Sequence, residues 1–377
     1  MAAMAHSALT DEPMSRDLLD GLAPRHEGRN TRIFRFLAAA GMVIGQVSQN
    51  VALPVLSDTI GAAGGSPYFV VWLACLSFVV LFGGAIVIRF AMPGGLCSRD
   101  ALMLSSDAQR DVWKIGFYNA LNGMMVVFAS PSSRTAPFLQ AILGNFMIPI
   151  TVLVRVWFLK AYPSKWEIVA AMIVVCGVFL SVGPTMVNGQ DEAGNSVFWP
   201  MWFMCGFIPA AFMNVTEESA LSKNQNARMG VFVFWLNFWQ FVFVSFFFWV
   251  DVIPGYGMSS NLGEWAHHMQ NGMSCFLFGE TCGGKAFLWG MIFILAYMLS
   301  YVSTGFLLKF TSSATWQAVV VSLVGPLGIL WWAGFDATPQ FHWGPSWGKD
   351  KTFAVLGLAV MLPGIVFFKL AGKLAKI

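Results

Sequence analysis

Long apolar stretches recur along this chain and restrict what it can fold into. A hydrocarbon core of about 30 Å requires roughly 20 consecutive apolar residues in a helix. Ten such stretches lie at residues 36–57, 68–91, 112–130, 136–159, 166–184, 197–221, 229–251, 285–308, 312–334 and 353–371. Only 11% of the 377 residues are charged, too few to cover these stretches as the cores of soluble domains. The pattern predicts an all-α membrane protein with ten transmembrane helices.

Lysine and arginine residues are distributed unequally between the connections. Of the 22 basic residues, 17 lie in residues 1–35, in the C-terminus and in the second, fourth, sixth and eighth connections between successive stretches, counting helix ends. The other connections carry four. The positive-inside rule therefore predicts that both termini are cytosolic. Residues 1–35 are polar and lack the apolar core of a secretory signal, so they predict a disordered cytosolic tail, and residues 372–377 a cytosolic C-terminus. A net charge of +3 does not indicate nucleic-acid binding.

A weak internal repeat links the two halves. The fourth stretch contains APFLQAILGNFMIP and the ninth contains SATWQAVVVSLVGP, so Gln140 and Pro149 recur as Gln317 and Pro326. Equivalent helices must cross the membrane in opposite directions, because each half holds an odd number of helices. We therefore predict two inverted five-helix repeats, residues 36–184 and 185–371. The alternative is chance similarity between two apolar segments.

Polar residues inside the fourth stretch predict a cavity. Gln140, Thr151 and Arg155 share one helix face, and an amide in lipid is costly unless it meets partners or water. Pro149 and Pro326 are predicted to break their helices and to free backbone carbonyls near mid-membrane. Two alternatives remain: the glutamines could only join helices, and Arg155 could extend to the membrane interface.

Other polar side chains in the apolar stretches are candidates for a solute cavity or a proton site. The cavity candidates are Gln46, Asn50, Tyr118, Asn122, Gln140, Thr151, Tyr297, Tyr301 and Gln317. Glu217 and Glu218 are candidates for proton coupling, since adjacent carboxylates disfavour each other's ionised form. Alternatively, both carboxylates face cytosolic water near Lys223.

Cys275 and Cys282 lie in the long connection at residues 252–284, on the side that is poor in basic residues. A disulfide fits this non-cytosolic side. A zinc site completed by His267 and His268 is the alternative. No metal or cofactor is predicted.

The order of several motifs resembles the chloroquine resistance transporter family, within the drug/metabolite transporter superfamily. The matching residues of the sixth stretch are Ile208, Pro209, Asn214, Thr216 and Glu218. Those of the 252–284 connection are Asn271, Gly272, Cys275, Phe276 and Gly279, and those of the fourth and ninth stretches are Gln140, Ile148, Pro149, Gly325 and Pro326. The resemblance runs from about residue 36 to the C-terminus and is strongest over 112–184 and 205–332.

The resemblance implies ten helices in two inverted repeats around a central cavity lined by the first four and the sixth to ninth helices. It implies export of small organic solutes from an acidic vacuole, or movement of thiol peptides and amino acids in plastid relatives, and it makes Glu218 the principal proton-coupling candidate. This chain departs from the family in two respects. Only two cysteines lie in a connection that often has four, and Glu217 adds a second carboxylate.

The sequence contains no Walker motif, zinc-protease motif or convincing nucleophile triad, so we expect a gradient-driven transporter rather than an enzyme. Its expected partners are the lipid bilayer, a small-molecule substrate and protons. We expect a monomer in a vacuolar or lysosome-like membrane, with the plastid envelope as an alternative location. A sugar-phosphate or nucleotide-sugar carrier and a non-transporting scaffold, receptor or membrane-embedded enzyme remain alternatives.

Overall fold

The computed structural model describes residues 29–91, 104–160, 162–187, 197–223, 229–311, 320–321, 323–335 and 348–374, and within these ranges it contains helices and no β-strand. The helices are α1 (Arg29–Ala62), α2 (Pro67–Ala91), α3 (Ser106–Ala129), α4 (Pro137–Leu143), α5 (Met147–Leu159), α6 (Lys165–Val187), α7 (Phe198–Cys205), α8 (Phe207–Lys223), α9 (Met229–Phe246), α10 (Leu262–Met273), α11 (Lys285–Thr311), α12 (Val324–Gly334) and α13 (Lys349–Leu374).

Six helical segments in the described ranges are long and apolar enough to cross a membrane. They are Ile33–Ala62, Pro67–Ile88, Pro137–Leu159, Phe198–Leu221, Gly230–Val252 and Lys285–Leu307. This supports the predicted multi-pass, all-helical architecture. A helix also overlaps each of the other four predicted stretches, although α3, α6, α12 and α13 do not meet the same criterion. Helix α1 begins at Arg29, seven residues before the predicted start of the first helix, and residues 1–28 of the predicted tail lie outside the described residues.

The fourth stretch is a broken helix. Between α4 and α5 the chain forms a 3-10 turn at Gly144–Phe146. Pro149 lies at the third position of α5, where it cannot donate to the carbonyl of Asn145 and its ring crowds that residue. The tighter turn therefore forms one turn before the proline. Pro326 lies at the third position of α12, where a missing N–H is tolerated.

The helices associate in a regular set of pairs. The two most extensive pairings are α1 with α11 and α6 with α13. Helix α3 packs against α8 and α9, α2 against α9, α4 against α12, α1 against α12, and α5 against α8. This arrangement places α1, α3, α8 and α11 around the centre of the bundle.

The segment between α9 and α11 is folded and closes one end of the bundle. Asn261 caps α10 by accepting a hydrogen bond from the Glu264 N–H, while Glu264 accepts one from the Ser260 N–H in return. Beyond α10, Cys275 and Cys282 form a disulfide with their Cα atoms 5.5 Å apart, as predicted. Because both sulfurs are used in this bond, they cannot ligate zinc with His267 and His268.

Candidate functional site

A cavity of about 190 Å³ lies at the centre of the bundle. Its walls come from α1, α2, α3, α4, α5, α7, α8, α9, α11 and α12, together with the 3-10 turn at Gly144–Phe146. The apolar part of the wall includes Phe78, Phe203, Phe207 and Phe293. The cavity is therefore bounded by both halves of the chain.

Carboxamide side chains dominate the polar part of the cavity wall. Nine of them line it: Gln46, Gln49, Asn50, Asn119, Asn122, Gln140, Asn145, Asn214 and Gln240. Among the described residues that line the cavity, none is Asp, Glu, Lys or Arg. Carboxamides both donate and accept hydrogen bonds. This wall can therefore bind neutral or zwitterionic polar groups without a net charge of its own.

A hydrogen-bond network fixes the amides on one side of the cavity. The Asn119 Nδ2 donates to Gln240 Oε1 at 2.7 Å, and both side chains are buried. The Tyr297 hydroxyl donates to Asn119 Oδ1 at 3.4 Å, and the Tyr297 ring stacks on Phe78. The network joins α3, α9 and α11, so it couples the orientation of side chains from three helices.

Four other lining amides bind backbone or side-chain oxygens of neighbouring segments, and one of them, Gln49, donates its Nε2 to the Ala296 carbonyl at 3.4 Å. Gln46 Nε2 donates to Ser300 Oγ at 3.1 Å, and Asn122 Nδ2 donates to the Gly206 carbonyl at 2.8 Å. Gln140 Nε2 donates to the carbonyls of Ser130 and Thr135, each at 2.7 Å. These amides thus hold neighbouring segments together as well as lining the cavity.

The structure brings most, but not all, of the predicted cavity residues together. Gln46, Asn50, Asn122, Gln140, Tyr297 and Tyr301 line the cavity. Tyr118 does not, and its ring stacks on Phe212 of α8 instead. Thr151 is buried away from the cavity, and its Oγ1 has no hydrogen-bond partner among the described residues. Gln317 lies outside the described residues.

Five lining amides were missing from the predicted set: Gln49, Asn119, Asn145, Asn214 and Gln240. Each of them is a carboxamide inside an apolar stretch, and this feature could have identified them as cavity candidates. Asn145 lies one turn after Ala141, which also lines the cavity, so the lining face of this segment includes both residues as well as Gln140.

The two adjacent glutamates of α8 lie in different environments. Glu217 is 1% exposed, and its Oε2 has no hydrogen-bond partner among the described residues. Glu218 Oε1 accepts a hydrogen bond from Arg155 Nη2 of α5 at 3.2 Å, with side-chain exposures of 11% and 25%. Arg155 does not line the cavity. It joins α5 to α8 through this ion pair.

Arg134 organises a cluster at the end of the bundle that carries α10. Its guanidinium donates to the carbonyls of Phe128 and Tyr256 and lies 3.9 Å from the centroid of the Trp199 ring. Burial lowers the pKa of Arg134, although Tyr256 and Asp251 act in the opposite direction. Burial raises the pKa of Tyr256, whose hydroxyl accepts a hydrogen bond from Trp202 Nε1. The cluster links the α3–α4 connection, α7 and the α9–α11 segment.

The sequence of this chain matches one known family. The model of the CRT-like family, described as chloroquine-resistance transporter-like, matches residues 55–368. Crt homologs 3, 1 and 2 of Dictyostelium discoideum are 29%, 28% and 26% identical over 133, 137 and 163 residues. These alignments cover 35%, 36% and 41% of this chain but only 26%, 28% and 31% of the relatives. One solved structure aligns over 89% of this chain and 98% of its own at 14% identity, with a TM-score of 0.41, too low to carry an argument.

Proposed function

The chain belongs to the chloroquine-resistance-transporter-like family, and from this premise we propose that it is a secondary active transporter of small organic solutes. Amino acids, small peptides or thiols and cationic drugs are the candidate substrates. It works by alternating access across an organelle membrane and is coupled to protons. The observation that carries this proposal is the central cavity with nine carboxamides and no charged residue in its described lining.

The pattern of helix pairs supports two inverted five-helix repeats as the basis of alternating access. Taken in chain order, the five helical segments of the first half correspond to those of the second half: α1 to α7–α8, α2 to α9, α3 to α11, α4–α5 to α12, and α6 to α13. Under this exchange the pairs α2–α9, α4–α12 and α6–α13 map onto themselves. The pair α1–α11 maps onto α3–α8, and α1–α12 maps onto α5–α8; all of these pairs are present. Such a twofold pattern suits two repeats that move against each other around a central site.

The location and orientation are part of the same proposal. The excess of lysine and arginine in alternate connections supports cytosolic termini. We also propose that the protein is a monomer in a vacuolar or lysosome-like membrane. In this orientation the Arg134 cluster lies on the luminal side.

The sugar-phosphate carrier is the less favoured alternative. A dianionic substrate requires several cationic partners, and the described cavity lining contains no lysine or arginine. A zwitterionic substrate has both a donor and an acceptor end, which carboxamides can satisfy together.

A counterflow assay in proteoliposomes tests the proposed function. Liposomes loaded with unlabelled solute are given labelled alanine, a neutral dipeptide, glutathione, a cationic drug or glucose 6-phosphate. We expect exchange of at least one of the first four probes and none of the sugar phosphate. Gln240→Leu should reduce that exchange about tenfold, because it leaves Asn119 without its buried partner.

Gln270→Leu is the matched control, since Gln270 is an exposed amide on α10. It should exchange the probe at the native rate. No exchange of any probe above protein-free liposomes would favour the scaffold, and selective exchange of the sugar phosphate would favour the alternative carrier.

Cysteine accessibility tests whether the two repeats share this cavity. Gln140→Cys and Gln317→Cys should each react with a small hydrophilic thiol reagent in the folded protein, and transported solute should slow both reactions. The reason is that Gln140 lines the cavity and Gln317 is its counterpart in the repeat. Labelling is measured by mass spectrometry. Leu143→Cys, which is buried outside the cavity, serves as the unreactive control. Two inert cysteines in folded proteins would mean that the glutamines only join helices.

A further inference from the structure

Glu217 is a buried carboxylic acid in one of the apolar helices, α8. It is 1% exposed, and its Oε2 has no hydrogen-bond partner among the described residues. An unpaired carboxylate in such a site costs several kcal/mol relative to water. The neutral acid avoids most of this cost. The environment therefore selects the protonated form in the conformation that the structure shows.

Glu217 is connected to the solute cavity through its neighbours. Asn214 lies one turn earlier on the same face of α8 and lines the cavity. Tyr301 of α11 also lines the cavity, its hydroxyl has no partner among the described residues, and it lies within electrostatic range of Glu217. The carboxyl group is thus adjacent to the cavity wall without forming part of it.

The other described titratable groups near α8 form no ion pair with Glu217. Helices α3, α5, α7 and α11 pack against α8. Their titratable side chains that are buried or half-buried are Asp111, Lys114, Tyr118, Arg155, Cys205, Tyr297 and Tyr301. Arg155 pairs with Glu218. Tyr297 and Tyr301 are close enough to Glu217 to interact with it electrostatically. Within the described residues, no cation forms an ion pair with Glu217.

We propose that Glu217, and not Glu218, binds the coupling proton on its buried carboxyl group. The inference rests on the proposed proton-coupled transport. Arg155 favours the ionised form of Glu218 through their ion pair, so that carboxylate is the poorer proton carrier. When the repeats move and water reaches Glu217, its ionised form is stabilised and the proton leaves. This assigns the two glutamates different roles from those expected from the family motif.

Infrared spectroscopy of the purified full-length protein tests the site without relying on transport. At neutral pH an exposed carboxyl group is ionised, so a carbonyl band of a protonated carboxylic acid reports a buried acid. We expect the native protein to show such a band and Glu217→Gln to lose it. Glu218→Gln and Glu280→Gln, an exposed control, should keep it. Tyr301→Phe should shift its frequency, because the neighbouring hydroxyl is removed.

Flux measurements then test the coupling. With one proton per solute, a pH step of one unit supports about tenfold accumulation. In Glu217→Gln the ratio of pH-driven accumulation to exchange at equal pH should fall by about that factor, whereas Glu280→Gln should keep the native ratio. The probe is whichever compound the native protein exchanges.

The outcomes separate the inference from the proposed function. A band that is absent from the native protein, or that survives in Glu217→Gln, overturns the inference even when the native protein transports the probe. So does pH-driven accumulation that is lost in Glu218→Gln but kept in Glu217→Gln. A band that disappears only in Glu217→Gln, in a protein that transports no probe, supports the proton site and refutes the proposed function.

Discussion

Replacement of Gly45 by leucine should prevent close packing of α1 against α11 and destabilise the protein by about 3 kcal/mol. A Cβ atom at Gly45 would lie 2.6 Å from the Ala296 carbonyl oxygen and 2.7 Å from the Ser300 nitrogen. Both are backbone atoms, so a rotamer change cannot relieve the clash. The two helices must separate, and the bonds of Gln46 to Ser300 and of Gln49 to Ala296 would be lost with the contact.

Thermal unfolding in detergent, followed by tryptophan fluorescence, measures the effect. The midpoint should fall by roughly 5 °C relative to the native protein. Gly84→Leu is the matched control, because a Cβ at Gly84 meets no heavy atom within 4 Å. Equal midpoints for the two variants would show that α1 and α11 are not held at the observed distance.

Replacement of Arg155 by leucine should lower stability by about 2 kcal/mol. The substitution leaves the Glu218 carboxylate, whose side chain is 11% exposed, without its ion pair. Removing one member of a buried pair is usually more damaging than replacing both by apolar residues. Arg155→Leu/Glu218→Leu should therefore recover most of the loss.

A double-mutant cycle with thermal or denaturant unfolding checks this expectation. We expect a coupling free energy of at least about 1 kcal/mol between the two positions. Additive effects of the single substitutions would show that the ion pair contributes nothing to the association of α5 with α8. Lys160→Leu serves as a control, since Lys160 is an exposed cation at the end of α5.

The positions of the apolar helices and the polar residues inside them could be predicted from the sequence. The apolar stretches predicted the helices because a backbone in lipid must satisfy its own hydrogen bonds within each segment. The disulfide between Cys275 and Cys282 also followed from their placement in one connection. Carboxamides inside these stretches predicted a polar cavity, and Gln46, Asn122 and Gln140 do line one.

The rotation of each helix about its own axis could not be predicted from the sequence. Tyr118 and Asn119 are neighbours, yet only Asn119 reaches the cavity, while Tyr118 stacks on Phe212. Asn145 also reaches the cavity, because the lining face of its segment runs through Ala141, one turn earlier, as well as through Gln140. Successive residues differ by about 100° on an α-helix, so a small rotation decides which of two neighbours faces the solute.

Local composition and residue order were enough to predict a helical membrane protein with amides and carboxylates inside apolar segments, because these properties do not depend on how the helices pack. The tertiary structure decided which carboxylate has a partner. Glu217 and Glu218 are adjacent and chemically identical, but packing of α5 against α8 brings Arg155 to Glu218 and leaves the Glu217 Oε2 buried without a partner among the described residues. The reason is that an ion pair or a buried site is formed by residues far apart in the chain, whose approach depends on how whole helices pack.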